Sequence, residues 1–540
     1  MKEKTVSVLS LIVLLVFGFV SLFLAWAGFS GGRFLLAFYP LFVVLFGVAF
    51  LRQSGFVMAF VGLVITVVLA VFEFGTSVDV ALGASVYGFL KSFGISVSVA
   101  ATMLMVFIMR EAGALQTVSK VIKQQVVGNE FQALYIGIGF GSFLSALGVV
   151  TPALFPPLLV TMGFSPSAAI SIAVLGYDPT TSFSLLSIPI TLPAQIFGLN
   201  ALELAFKVCI FLPLVSTGFA FAILWVTGGK ASMRRGVLPA FVSGLALALS
   251  CLGVVSLDYF SGVEFVPLRV VGVVGGLTAM LSLYVYQKLK PSAAVREKPV
   301  DYPVRGEVWR CFSPWVILTV LAAVVSVPQV GGWLSTVLGN WEKVTVFDGN
   351  VVDFDVLSQI YTWIFVAIVL SFFTLRPTRK QVKSAFGVWV RRFPGPFLAY
   401  VLYFGVAFVM SFSPMNVVLG EVLASVFGVG YVFVAASLGL FGAIVGGSET
   451  TSNVLFYSIQ KTAAADVGVS GAGFMTVYGS HGVAGGIASA VTPAKINNAV
   501  VTIDAGKETE SIIMRKHLVV AILLTIATGV LTGILVNLGV

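Results

Sequence analysis

Charge is scarce in this chain. Of its 540 residues only 10% are Asp, Glu, Lys or Arg, while 58% are hydrophobic, and the mean hydropathy is +1.06. A soluble domain of this size needs more charge on its surface, so the chain reads as a polytopic membrane protein. Histidine is scarcer still. His481 and His517 are the two present, too few for a histidine-rich metal site. Cys209, Cys251 and Cys311 sit in or beside apolar segments at no motif spacing, and imply neither a disulfide framework nor a metal site. The sequence holds no Gly-x-x-x-x-Gly-Lys-Ser/Thr phosphate loop, no His-Glu-x-x-His and no Gly-x-Ser-x-Gly. These absences argue against an ATP-driven pump, an intramembrane hydrolase and a c-type electron carrier. No enzyme, cofactor or metal is expected. The formal charge of +9 would suggest nucleic acid in a soluble protein; here basic cytoplasmic loops explain it, and no nucleic-acid partner is expected.

What is present is apolar sequence in long runs. Segments near 6–29, 34–51, 55–73, 93–109, 131–147, 164–176, 205–227, 237–256, 268–287, 310–328, 356–375, 395–412, 429–446 and 518–539 approach or reach spanning length. The first resembles a signal peptide but is long and lacks a clear small-residue cleavage site, so it reads as the first span. A shorter amphipathic piece at 79–92 reads as lying along the interface. Lys and Arg cluster at Lys230–Arg235, through Lys288–Arg310 and after 375, while the alternate loops carry Glu73, Asp79, Asp258, Glu264, Glu342, Asp348, Asp353 and Asp355. The positive-inside rule puts the N-terminus and the basic loops 229–235, 288–308 and 376–392 in the cytoplasm, with 331–355 outside. These basic runs read as solvated loops at the lipid surface rather than ligand sites. The expected location is the plasma membrane of a prokaryote-like cell.

Polar residues interrupt this pattern at two places. Gly446-Gly447-Ser448-Glu449-Thr450-Thr451-Ser452-Asn453 sits inside almost unbroken apolar sequence. Hydrocarbon cannot satisfy a carboxylate, hydroxyls and an amide, so these groups must face protein, water or a ligand. The other is Tyr177 to Ser184, leading to Ser187-Ile188-Pro189. The halves share an order of features. In the first, Gly148 to Pro152 precedes Gly163-Phe164-Ser165 and the 177–184 break. In the second, the 446–453 run precedes Gly468-Val469-Ser470 and a stretch from Tyr478 to Gly486 ending in Val491-Thr492-Pro493. Paired interruptions are the sequence mark of a transporter site. The domains are read as a first half at 1–290, with a hairpin and broken helix about 140–190; a cytoplasmic linker at 291–308; and a second half at 309–540, with its hairpin and broken helix about 446–498.

At these residues the chain resembles the lactate permease family, which carries lactate and glycolate with protons. Gly447 to Phe456 is similar to that family's Gly-Ser-Asp-Thr-Ser-Ser-Asn-Ala-Leu-Phe signature. Gly139 to Leu144, Thr151-Pro152, Ser187 to Ile190, Val86 to Phe89, Trp309-Arg310 with Pro314, and Gly506 to Glu508 with Lys516-His517 fall at family-like positions. The chain departs from the pattern too. Ser145 stands where the family has a glutamate, Ala146 to Val150 replaces its Gly-Ala-Ala-Gly-Phe-Gly, and Tyr177-Asp178-Pro179-Thr180 replaces Asn-Thr-Ala-Pro. A family lysine before its Ser-Pro turn is absent, while Lys495 follows Thr492-Pro493. The resemblance extends in organisation to the ion-transporter superfamily. It implies an all-α polytopic membrane protein with about 12–14 membrane segments, two inverted repeats each with a re-entrant hairpin and broken helices, and homodimers working by an elevator motion.

A monocarboxylate needs donors for its oxygens. Ser448, Thr450, Thr451, Ser452 and Asn453 from the second half, and Thr151, Thr180, Thr181 and Ser182 from the first, offer hydroxyls and an amide beside half-helix N-termini. Helix capping is the competing role for each. Thr492 belongs to the same set, and Lys495 either balances the carboxylate or snorkels to the surface. Glu449 and Asp178 are the acids deepest in apolar sequence, where an ionised group is expensive, and proton symport follows from that. The alternative pairs them structurally with Lys461, Lys495 or His481. His481 is a third proton candidate. The expected function is proton-coupled symport of L-lactate, glycolate or a similar monocarboxylate. Another small anion, sodium coupling, or an anion channel are the alternatives.

Overall fold

The computed structural model describes residues 2–49, 51, 53–125, 128–149, 155–289 and 305–540. Thr151, with the Thr151-Pro152 turn, and nearly all of the 291–308 linker lie outside the described residues.

All fourteen apolar runs fall on helices, and ten helical stretches among the described residues are long and apolar enough to cross a membrane. Local chemistry sets many of the boundaries. Ser54, Ser165, Asn200 and Ser448 accept N–H bonds at the starts of the helices that follow them. Gly228 and Gly229 bend the Ala201–Arg235 helix where its apolar stretch ends and its basic cluster begins. Among the described residues the fold departs from all-α in a two-stranded antiparallel hairpin, Lys343–Thr345 with Val351–Asp353.

Three features differ from the sequence reading. A helix at Met415–Phe427 fills the interval between two expected spans. The Val78–Lys91 helix does not lie apart as an interfacial piece. It packs along Pro394–Ser411, where Gly88 admits the Phe404 carbonyl: a Cβ there would sit 2.5 Å from that oxygen. Basic segments expected as loops are helical, Lys230–Arg235 at the end of Ala201–Arg235 and most of 376–392 as Arg379–Arg392.

Two stretches of the chain, within 129–197 and 431–501, share an order of elements among the described residues. In the first half, Asn129–Leu134, a π-helical turn at Tyr135–Gly141 and Ser142–Ala146 lead to Phe155–Thr161. Gly163 then takes φ +98°, Ser165 caps Pro166–Leu175, and the chain unwinds before Ile188–Phe197. In the second, Tyr431–Gly446 and Glu449–Asp466 form the hairpin, and Gly468 takes φ +80°. Ser470 then precedes Gly471–Ala488, which unwinds before Pro493–Val501. The same Gly-x-Ser turn thus occurs in both stretches, with glycine where a side chain would be strained. The interruptions are unequal. The chain stays helical through 478–486, expected to be broken, and unwinds only at Ser489–Thr492.

Candidate functional site

Two polar segments meet at the tip of the second hairpin. Gly447, at φ +73°, closes the first arm, and Ser448 opens the second by accepting the Thr451 N–H at 3.2 Å. The Ser448 and Thr451 hydroxyls lie 2.9 Å apart. Ser448 therefore serves as a cap, the competing role the sequence left open, and the Thr451 hydroxyl bonds to it. Thr450 is buried beside them.

Glu449 is buried, and its carboxylate accepts a hydrogen bond from the Ser182 hydroxyl of the first half. One turn on, the Asn453 side-chain amide donates to the Pro189 carbonyl at 2.9 Å, and the Asn453 backbone carbonyl accepts from the Tyr478 hydroxyl at 2.7 Å. The second hairpin is thus fastened to the first half's break at both ends.

That break is the most contorted backbone among the described residues. Thr181, Leu185, Leu186 and Ser187 all carry φ between +42° and +59°, a region non-glycine residues rarely enter. The surroundings hold them there. Ser216 donates to the Pro179 carbonyl at 2.6 Å, and Ser187 to the Leu268 carbonyl at 2.6 Å. The Gly471–Ala488 helix supports the meeting point with a face of glycines. A Cβ on Gly486 would lie 2.7 Å from Thr181 Cβ and 3.0 Å from Glu449 Oε2; one on Gly485, 3.1 Å from Glu449 Cγ; one on Gly482, 3.3 Å from Ser182 Oγ.

Asp178 is buried in the same unwound segment. Neither Asp178 nor Glu449 forms an ion pair within 4.0 Å among the described residues; the ion pairs there are Arg110–Glu111, Arg235–Glu130 and Lys343–Asp353. Lys461 is exposed, over the Tyr457 ring. Lys495 turns inward instead. Its amino group donates to Ser489 and sits 4.1 Å from the centre of the Tyr177 ring, and both buried carboxylates act on its charge. Thr492 donates to the Ala488 carbonyl at 3.1 Å, an end-of-helix bond. Four buried side-chain oxygens around the break have no partner: Asp178 Oδ2, Thr180 Oγ1, Thr181 Oγ1 and Asn453 Oδ1. Buried polar atoms are seldom left so, and this cluster has unspent capacity for a small polar solute.

His481 is fully buried with both ring nitrogens engaged, Nε2 3.1 Å from Ser452 Oγ and Nδ1 2.9 Å from Gln460 Nε2. Ser452 Oγ lies 3.1 Å from the Gly439 carbonyl, and the Tyr431 hydroxyl donates to Gln460 Oε1 at 2.5 Å. With the Gln460 amide donating to Nδ1, the ring proton sits on Nε2 and points at Ser452. Sequence reasoning missed Gln460, Tyr431 and Tyr478. Gln460 stands two helical turns beyond Ser452, on the same face, and a glutamine in that apolar arm was the available signal.

The sequence profile described as L-lactate permease matches residues 33–539. The chain belongs to the L-lactate permease family. Glycolate permease GlcA of Escherichia coli (strain K12) is 25% identical over 498 residues, covering 84% of this chain and 87% of that protein. L-lactate permease of Bacillus subtilis (strain 168) is 27% identical over 537 residues, covering 89% and 92%. L-lactate permease of Salmonella typhimurium is 25% identical over 536 residues, covering 92% and 95%. Among solved structures, the YdaH transporter of Alcanivorax borkumensis aligns with a TM-score of 0.38 at 16% identity, covering 84% of this chain and 87% of its own. MtrF of Neisseria gonorrhoeae aligns with a TM-score of 0.41 at 13% identity, covering 88% and 94%. The family is one of transporters, and this permease-family chain is a multi-pass membrane protein, not an enzyme.

Proposed function

We propose that this permease-family chain carries L-lactate, glycolate or a similar small monocarboxylate across the plasma membrane together with a proton, by alternating access. The observation that carries the reading is the buried Glu449 carboxylate at a hairpin tip, bonded to Ser182 of the other half and lacking an ion-pair partner. A carboxylate there repels an anionic substrate until it takes a proton, which couples the two. Lys495 supplies the opposite charge, and Ser182, Thr180, Thr181 and Asn453 supply hydrogen bonds to the substrate's oxygens. Ser448, Thr450, Thr451, Ser452 and Thr492 offer further hydroxyls, and Thr151, outside the described residues, is the donor expected from the first half. Asp178 is the second proton candidate. His481, with both nitrogens engaged, acts on the site through Ser452.

The two halves, 1–290 and 309–540, work as inverted repeats joined by a cytoplasmic linker at 291–308. The N-terminus is cytoplasmic and the protein a homodimer. The matched order of hairpin, Gly-x-Ser turn and interrupted helix supports the repeat.

Sodium in place of the proton is a second reading, favoured by one observation. The four unpartnered atoms are all oxygens, the donors a hard cation takes. Uptake of labelled L-lactate into proteoliposomes tests both. An inside-alkaline gradient should drive accumulation that a protonophore abolishes. Accumulation that follows a sodium gradient and ignores pH would replace the proton, and non-saturating passive flux would make the protein an anion channel.

A further inference from the structure

We propose that the Arg379–Arg392 helix holds an anionic phospholipid, with its phosphate on Arg379 and Lys383 and an acyl chain in the groove beneath them. The segment 376–392 carries Arg376, Arg379, Lys380, Lys383, Arg391 and Arg392 and no acid. The sequence alone gives it as a solvated basic loop. In the folded protein it is a 14-residue helix set immediately after the apolar Ile360–Leu375 helix and immediately before Pro394–Ser411. Its place in the chain is therefore the membrane interface.

The turn into it is rigid. Arg376 takes φ +50°, Pro377 follows, and Thr378 with Gln381 forms a reciprocal capping box. One face of the helix is tied to the protein. Gln381 donates to the Glu111 carbonyl at 2.9 Å, Trp389 to the Ala100 carbonyl at 2.7 Å, and Ala385 is buried between them. The other face carries a mixture that a water-facing helix would not. Phe386 is 51% exposed and Val390 45%, beside cations at 379 and 383 one turn apart.

Between this face and the preceding helix lies a groove of about 500 Å³, lined by Phe372, Pro377, Arg379, Val382, Lys383 and Phe386. Its walls are apolar and its rim holds two cations. Neither cation has an ion pair or side-chain hydrogen bond among the described residues, and Glu111, on the helix against which this one docks, is paired with Arg110 at 3.1 Å. A basic helix with aromatic side chains beside its charges matches the chemistry of a lipid interface. A free phosphate would use the cations and leave the apolar wall without purpose. A phospholipid uses both.

The test is lipid retention by the purified full-length protein, measured by native mass spectrometry while dioleoyl phosphatidylglycerol, dioleoyl phosphatidylcholine or inorganic phosphate is titrated. The wild type should hold one phosphatidylglycerol in preference to phosphatidylcholine. The Arg379→Gln, Lys383→Gln double variant should bind it roughly 30-fold more weakly, since each interfacial cation contributes severalfold. Phe386→Ala should weaken phosphatidylglycerol and leave phosphate unchanged. Lys380→Gln removes a charge outside the groove and should change little. The proposal is overturned if phosphatidylcholine is held as well as phosphatidylglycerol, or if inorganic phosphate competes at the same concentration as the lipid. It is equally overturned if Lys380→Gln costs as much as Arg379→Gln, because the binding would then be diffuse surface charge.

Discussion

Gly486→Ala places one methyl group where the two halves meet. The new carbon would lie 2.7 Å from Thr181 Cβ, 2.9 Å from Thr181 Cα and 3.0 Å from Glu449 Oε2. Two of these are closer than side-chain carbons come, and Thr181 cannot retreat freely because its backbone already sits at φ +42°. Overpacking of this kind costs about 1–3 kcal/mol. Alanine in a helix returns up to about 1 kcal/mol, less here because Gly486 lies in the last turn of Gly471–Ala488. The clash therefore wins by about 1–2 kcal/mol, and it falls on the contact that Gly486 makes with both Thr181 and Glu449. At about 1.4 kcal/mol per factor of ten, the half-saturating substrate concentration should rise roughly 5- to 30-fold. Gly482→Ala should do less, because its nearest neighbours at 3.3 and 3.4 Å are the ends of the Ser182 and Asn453 side chains. Gly253→Ala, with nothing within 4 Å, is the control. The assay is concentration-dependent uptake into proteoliposomes, with Tm recorded for each variant. If Gly486→Ala matches wild type in both, the contact plays no part in the transporting protein and the reasoning fails.

Glu449→Gln, a neutral mimic of the protonated acid, should keep substrate exchange and lose gradient-driven accumulation, while Glu449→Asp retains much of both. If Asp178→Asn abolishes coupling and Glu449→Gln does not, Asp178 is the proton site. Gln460→Leu leaves His481 Nδ1 unpaired and should lower stability by about 1–3 kcal/mol, read as a fall in Tm; an unchanged Tm would mean the ring nitrogen finds another partner. Burial would raise the Glu130 carboxyl, but hydrogen bonds from Arg235 at 2.6 Å and Ser232 at 2.9 Å hold it below the usual range. The clasp it forms is complete above the range where a free carboxylate titrates and lost as pH falls through the lower folded value, so the protection of the 128–134 amides, relative to their intrinsic exchange rates, should fall only in acid. Cysteine labelling should find 229–235 and 376–392 on one side of the membrane and 331–355 on the other; finding all three together would refute the topology.

The spans were legible because lipid demands the same thing of each, a run of apolar residues about 20 long. Met415–Phe427 was not, because Asn416, Gly420 and Glu421 interrupt a piece only 13 residues long. The site was legible as composition. Glu449, Ser182 and Asn453 stood out as polar groups in apolar surroundings, and all three take part in the contact between the halves. Their pairing was not legible, since nothing in the spacing of Ser182 and Glu449 says that they touch. The even helix through 478–486 was misread because glycines at 479, 482, 485 and 486 look like hinges; they are instead the flat surface on which other segments rest. Local rules treat glycine as freedom. Here tertiary packing uses its smallness.

The bent stretch from Thr181 to Ser187 also has a consequence for how the protein is made. Ser182 finds its acceptor 267 positions later, and the Pro189 carbonyl its donor 264 positions later. A ribosome delivers the first half to the membrane long before either partner exists. Throughout that interval the unwound segment has no glycine face beneath Thr181 and no carboxylate for Ser182, and is braced by the bonds from Ser216 and Ser187. Its remaining polar partners arrive with Glu449, Asn453 and the Gly471–Ala488 helix. A chain that stops before Gly446 therefore leaves the Ser182 hydroxyl and the Pro189 carbonyl without the partners they have in the folded protein.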